Sequence, residues 1–148
     1  RERSSVGQRK FSRLRRPLMT ERSGEPVNNT IDEVMGQPIH LPGLIGGGWR
    51  DLSFRPFRNG IEISEIKTGA PAVALLRYQP GASVPSHRHI GLETVVVLEG
   101  VQSDERGDYP IGSVILNPEG TEHSVWSTSG CVVLVQWQRP VQFLKRTA

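Results

Sequence analysis

Two histidines one residue apart, His87 and His89, are followed four positions later by Glu93 at the head of an apolar, β-branched run, "ETVVVLEG". In an extended chain residues two apart share a face, so His87 and His89 point the same way and Arg88 points opposite. A third histidine, His123, stands in "PEGTEHSVW" at the start of another strand-like segment. The short "IGL" at 90–92 can break the first strand and bring Glu93 back beside the histidines. Antiparallel neighbours lie about 4.8 Å apart, so one closed sheet could bring all four side chains to a single interior point. Three imidazole nitrogens and one carboxylate oxygen suit one divalent transition metal ion, Fe(II), Zn(II), Mn(II) or Ni(II). Four such ligands leave two open positions on an octahedral ion.

The elements that must position these residues read as strands. They are "GIEISEI" (60–66), "PAVALLRY" (71–78), "SVPSHRH" (83–89), "ETVVVLEG" (93–100), "GSVILN" (112–117), "TEHSVWS" (121–127), "CVVLVQWQ" (131–138) and "VQFL" (141–144). Between them lie "YQPGA", "RGDYPIG", "NPEG" and "STSG", which carry the Gly, Pro, Asn and Asp that turns demand. Eight short strands spaced by turns predict an all-β domain, a closed barrel or two-sheet jelly roll. Before them, "IDEVMGQPIHLPGLIGGGWRDL" holds at most one helical turn. The runs "VVVL" and "VVLV" are apolar on both faces, so something must cover their outer side. A second subunit would do so, which predicts a homodimer packed through about residues 45–65.

Length and charge narrow the function classes. With 148 residues the chain supports one domain, placed at 31–148. Residues 1–30 hold eight Arg/Lys against three Glu, whereas the rest of the chain is slightly acidic. The basicity therefore belongs to a polar leader expected to be disordered, and nucleic acid is not the expected partner of the domain. Because the first residue is not Met and Met19 opens "MTERSGEP", residues 1–18 are expected to contribute nothing to fold or metal. No apolar run approaches the roughly 18 residues of a membrane span. A single cysteine excludes a disulfide framework and a Cys-rich zinc cluster and fits a cytoplasmic setting.

Other residues have plainer readings. Cys131 is expected to be a small buried hydrophobe, and His40, in "PIHLPG", a loop surface residue. Asp104, Glu105 and Asp108 lack the alternation of a calcium loop and read as solvated turn residues. Trp126 and Trp137 are expected to pack the core. Tyr78 either approaches the cavity or caps a strand.

The spacing Gly81-x5-His87-x-His89-x3-Glu93-x6-Gly100 resembles the first motif of the cupin superfamily at every position. Gly112-x5-Pro118-x-Gly120-x2-His123 resembles the second, except that its terminal Asn is Ser127 here. The segments "LLRYQPGASVPSHRH", "VQSDERGDYPIG" and "SVILNPEGTEHSVWSTSGC" are similar to the ChrR-type cupin, the C-terminal domain of a family of anti-sigma factors. The resemblance spans about residues 45–144. It implies the double-stranded β-helix fold, with His87, His89, Glu93 and His123 as metal ligands. Anti-sigma factors of this type carry an N-terminal zinc domain with a His-x3-Cys-x2-Cys arrangement, which these 148 residues do not contain, so a free-standing cupin is expected. Two functions follow from the resemblance. One is a metal-dependent, dioxygenase-like enzyme on a small chelating organic molecule. The alternative is a non-catalytic regulatory cupin that senses metal or ligand. Cupins serve many functions, so the fold alone does not choose between them.

Overall fold

The computed structural model describes residues 38–144. The basic leader and the boundary at residue 31 lie outside the described residues. Ten strands follow one short 3-10 turn, Gly48–Asp51. They are β1 (Arg55–Arg58), β2 (Ile61–Lys67), β3 (Ala72–Tyr78), β4 (Ser83–Arg88), β5 (Glu93–Asp104), β6 (Gly107–Pro110), β7 (Val114–Asn117), β8 (Glu122–Trp126), β9 (Cys131–Trp137) and β10 (Gln142–Phe143). Every pairing is antiparallel.

The strands form two sheets that share β5. Its first half pairs with β9 and β7 in the layer β1-β2-β3-β9-β5-β7. Its second half pairs with β6 and touches β8 in the layer β10-β4-β8-β5-β6. The jelly roll predicted from the strand pattern is therefore present, with all eight expected strands. The additions are β1, four further residues on β5, and β6. The last forms because "RGDYPIG" is the returning arm of a hairpin that turns at Glu105–Arg106 rather than a loop.

A one-residue bulge shapes β5. Val97 pairs with Val133 but Glu99 with Val132, so Leu98 is an extra residue and the register shifts there. Such an insertion bends the strand and reverses which residues face inward. Before it, Glu93, Val95 and Val97 are buried; beyond it, Gln102 and Asp104 are. Gly100 follows directly, with φ +72° and a backbone so close to Gly130 that a Cβ would lie 2.1 Å from that residue's carbonyl oxygen. A second register shift, between Val84 and His87 on β4, turns both of those side chains toward the interior.

Apolar residues of both faces are used. Ile61, Ile63, Leu76, Val95, Val125, Val133 and Val135 fill the space between the sheets. The outer face of the first sheet presents Ile66, Leu75, Leu98 and Val132, and is roofed by Leu41, Leu44, Trp49, Leu52 and Phe54. The cover expected of a second subunit is thus provided by the chain's own residues 41–54. Arg50 stacks on Trp49, 4.3 Å from its ring centroid, and ion-pairs with Glu99 at the bulge. Burying an indole in this way contributes about 2–3 kcal/mol.

Candidate metal centre

His87 on β4 and His123 on β8 are direct cross-strand partners, and His89 follows at the end of β4. Their rings lie 4.7–5.2 Å apart, edge to face, and all three are buried. One nitrogen of each falls within 4.8 Å of the others, a grouping that could hold a metal ion. The opposite nitrogens are tied back. His87 Nδ1 donates to the Pro85 carbonyl at 2.9 Å, which the β4 bulge leaves available. His89 Nδ1 lies 3.1 Å from the Thr121 carbonyl and 3.0 Å from its hydroxyl. His123 Nδ1 lies 3.1 Å from the carboxylate acceptor Asp104 Oδ2, with the Arg106 guanidinium at 3.2 Å. An acceptor at Nδ1 fixes the proton there and leaves Nε2 with a free lone pair. His89 Nε2 and His123 Nε2 are buried and have no hydrogen-bond partner, a costly condition for polar atoms without a ligand. The residues fit a transition metal.

Glu93 stands beside them. Its Oε1 lies 3.2 Å from His89 Nε2 without hydrogen-bond geometry, and it accepts from Asn117 Nδ2 at 2.9 Å. Its Oε2 accepts from Trp137 Nε1 at 2.6 Å. Trp137, expected as a core residue, thus holds the carboxylate and lines the cavity. Two lone-pair atoms about 3 Å apart match adjacent ligands on an ion with bonds near 2.1 Å. Burial pushes the Glu93 carboxyl up, but the nearby His89 and the Asn117 amide outweigh it and hold it below its ordinary value. Burial lowers His87, an effect that the Pro85 carbonyl partly offsets and neighbouring His123 reinforces. A neutral ring with a lone pair to donate results.

Asp104 departs from the expectation of a turn residue. It is buried, not a solvated turn residue. Besides His123, it accepts from the Arg106 guanidinium at Oδ2, and from the Tyr109 hydroxyl and the Arg106 backbone N–H at Oδ1. Burial works against its charge, yet these donors hold its carboxyl well below the usual carboxylate range. Arg106 also donates to Asn117 Oδ1 at 2.9 Å, so one guanidinium joins the supports of His123 and Glu93. Glu105 accepts from the Ser124 backbone and Asp108 from the Ser103 hydroxyl, which are further structural roles. Replacing Asp104 with Asn should weaken metal binding by roughly 10–100-fold while leaving one site per chain at saturating metal. Competition against a chromophoric chelator measures this, and an unchanged affinity would refute it.

A cavity of about 300 Å3 opens beside these ligands, with His87 and Glu93 in its wall. The rest is chiefly apolar: Ile63, Leu76, Val95, Val125, Val133 and Val135. Tyr78 lines it too, and burial pushes its phenol up, so it is a neutral hydrogen-bonding group. Cys131 is buried, with burial raising its thiol to about 11, as expected of a small core residue. Ser127, where the second motif departs from its usual Asn, is fully buried and donates to the Val101 carbonyl at 2.6 Å. His40 is exposed on the approach segment.

A family model described as the ChrR cupin-like domain matches residues 47–141. The anti-sigma-E factor ChrR of Cereibacter sphaeroides is 30% identical over 109 residues, covering 72% of this chain and 51% of that protein. The chain therefore spans about half the length of this curated relative. The solved complex of Rhodobacter sphaeroides SigE with the anti-sigma ChrR matches with a TM-score of 0.59 at 25% identity, over 79% of this chain and 70% of that one. An acetylacetone dioxygenase from Acinetobacter johnsonii matches with a TM-score of 0.59 at 17% identity, over 63% of this chain and 72% of that one. The latter likeness is one of fold. Among the described residues no helix is long and apolar enough to cross a membrane.

Proposed function

We propose, proceeding from the fact that this chain belongs to the ChrR cupin-like domain family, that it is a metal-dependent, dioxygenase-like enzyme acting on a small chelating organic molecule. One observation carries the reading. Two orphaned imidazole nitrogens converge with His87 on a point beside a largely apolar cavity, into which His87 and Glu93 project. His87, His89 and His123 would hold the ion through Nε2, and Glu93 through Oε1. When bound, the ion supplies a Lewis acid and a template for a chelating substrate. The chain's own part is positional. Asn117 and Trp137 keep Glu93 anionic and oriented, Asp104 keeps His123 in the ligating tautomer, and the aliphatic walls exclude water.

The fold likeness to an acetylacetone dioxygenase motivates the first substrate to try. Fe(II)-loaded protein given acetylacetone in an oxygen electrode should consume one O2 per diketone cleaved. Chelator-treated protein should consume none. The 30% identity to an anti-sigma factor favours the second reading, a regulatory cupin that binds metal and ligand without turnover. Diketone binding to the loaded protein with no oxygen uptake would select it.

A further inference from the structure

Residues of β1 and β10, the strands at the two ends of the sheet order, line the cavity where it meets solvent. Phe57 and Arg58 of β1 meet Phe143 of β10 there, and all three are exposed. Phe143 pairs with His87 across β10 and β4, its ring centroid 5.9 Å from the imidazole. The Arg58 guanidinium lies over the Phe143 ring, 3.9 Å from its centroid, with the Phe57 ring at 5.8 Å. It therefore stands one aromatic ring away from the metal ligands.

The other charged groups of the cavity wall are accounted for. Glu65 is paired with Arg55 at 2.5 Å, and Glu93 is directed at the metal position. Arg58, the one arginine among the residues that line the cavity, makes no ion pair with a described carboxylate. A phenyl ring attracts a cation but takes up little of the hydrogen-bonding capacity of its five N–H donors. A divalent ion and one carboxylate leave the floor of the cavity positive, and Arg58 adds a second positive charge at its mouth. An apolar chamber with a cation at each end is complementary to a ligand with an apolar body and charge toward both ends.

We infer that Arg58 is a binding residue that selects acidic ligands, taking the carboxylate of a small molecule whose other end chelates the metal. This rests on the metal-chelating reading above and adds the ligand's second functional group. Phe143 holds the guanidinium over the entrance, and the carboxylate displaces water from its free edge. Because Arg58 is partly solvated, the contribution is moderate and salt-sensitive.

The test uses two probes of nearly equal size and the same β-dicarbonyl head, 4,6-dioxoheptanoate and its methyl ester, with acetylacetone as the head alone. Each is titrated calorimetrically into the full chain loaded with Zn(II), which does not turn over. Wild type should bind the acid about tenfold more tightly than the ester, with the preference shrinking as salt is raised. Arg58→Met keeps the aliphatic stem and should lose most of that preference while binding acetylacetone as before. Equal binding of acid and ester by wild type overturns the inference and leaves the chelating reading intact. A preference undiminished in Arg58→Met also overturns it, since the metal would then be its source. If none of the three compounds binds, the chelating reading fails and this inference fails with it.

Discussion

His87→Ala and His123→Ala should each reduce bound metal from one equivalent per chain to none, by mass spectrometry of protein purified without added metal. A ligand that binds only the native state stabilises it by RT ln(1 + [L]/Kd), about 4 kcal/mol when free metal is a thousandfold above Kd. The melting temperature should fall accordingly, on the order of 15 °C for a domain of this size. Both rings are buried, so truncation also leaves a cavity. Chelator-treated wild type isolates that contribution, because the difference between it and each variant contains no metal term. Glu93→Gln should weaken binding without emptying the site. It removes the anionic ligand and turns an amide NH2 toward either Trp137 Nε1 or Asn117 Nδ2, donors that both now find an acceptor. His40→Ala should change nothing. Retention of a full equivalent of metal by both alanine variants would remove the site and the function built on it.

Gly100→Ala should cost about 3 kcal/mol or more, a large share of the stability of a domain this size. Two causes add. An L-residue at φ +72° is strained by about 1–2 kcal/mol. The new methyl would also lie 2.1 Å from the Gly130 carbonyl and 3.0 Å from Cys131 Cα, backbone atoms that cannot rotate away. Gly81→Ala is the comparison. It has a similar φ of +81°, but a Cβ there meets nothing within 4 Å, so only the conformational cost remains. Urea denaturation of both variants should separate them by more than 1 kcal/mol. Equal losses would mean that the bulge relaxes around the methyl and that the close approach is not what requires glycine.

The same bulge explains what could and could not be read from the sequence. The histidines and Glu93 were legible because they sit at the local spacing that period-two alternation can interpret. Counted from Glu93 by that period, Asp104 falls on the outer face. Leu98 shifts the count by one and brings it inside, beneath His123. No composition signal marks a one-residue insertion within "VVVLEGVQSD". Trp137 was likewise indistinguishable from a core indole, since its role depends on β9 pairing Trp137 with Glu93, a contact 44 residues apart. The apolar outer faces were visible, but their cover was not. The segment 41–54 has no periodicity, only well-spaced Leu, Trp and Phe that find their partners after the sheet exists.

The cross-strand pairing of His87 with His123 has a consequence for the order in which the protein matures. The two are 36 residues apart, and the strands that carry them meet only once the β5–β6 hairpin and β7 have been placed between them in the chain. An extended chain offers a cation only the local His87, His89 and Glu93, and must meet the entropy of closing that loop before the third imidazole arrives. An ion held by all three imidazoles would therefore join late, as a keystone rather than a nucleus.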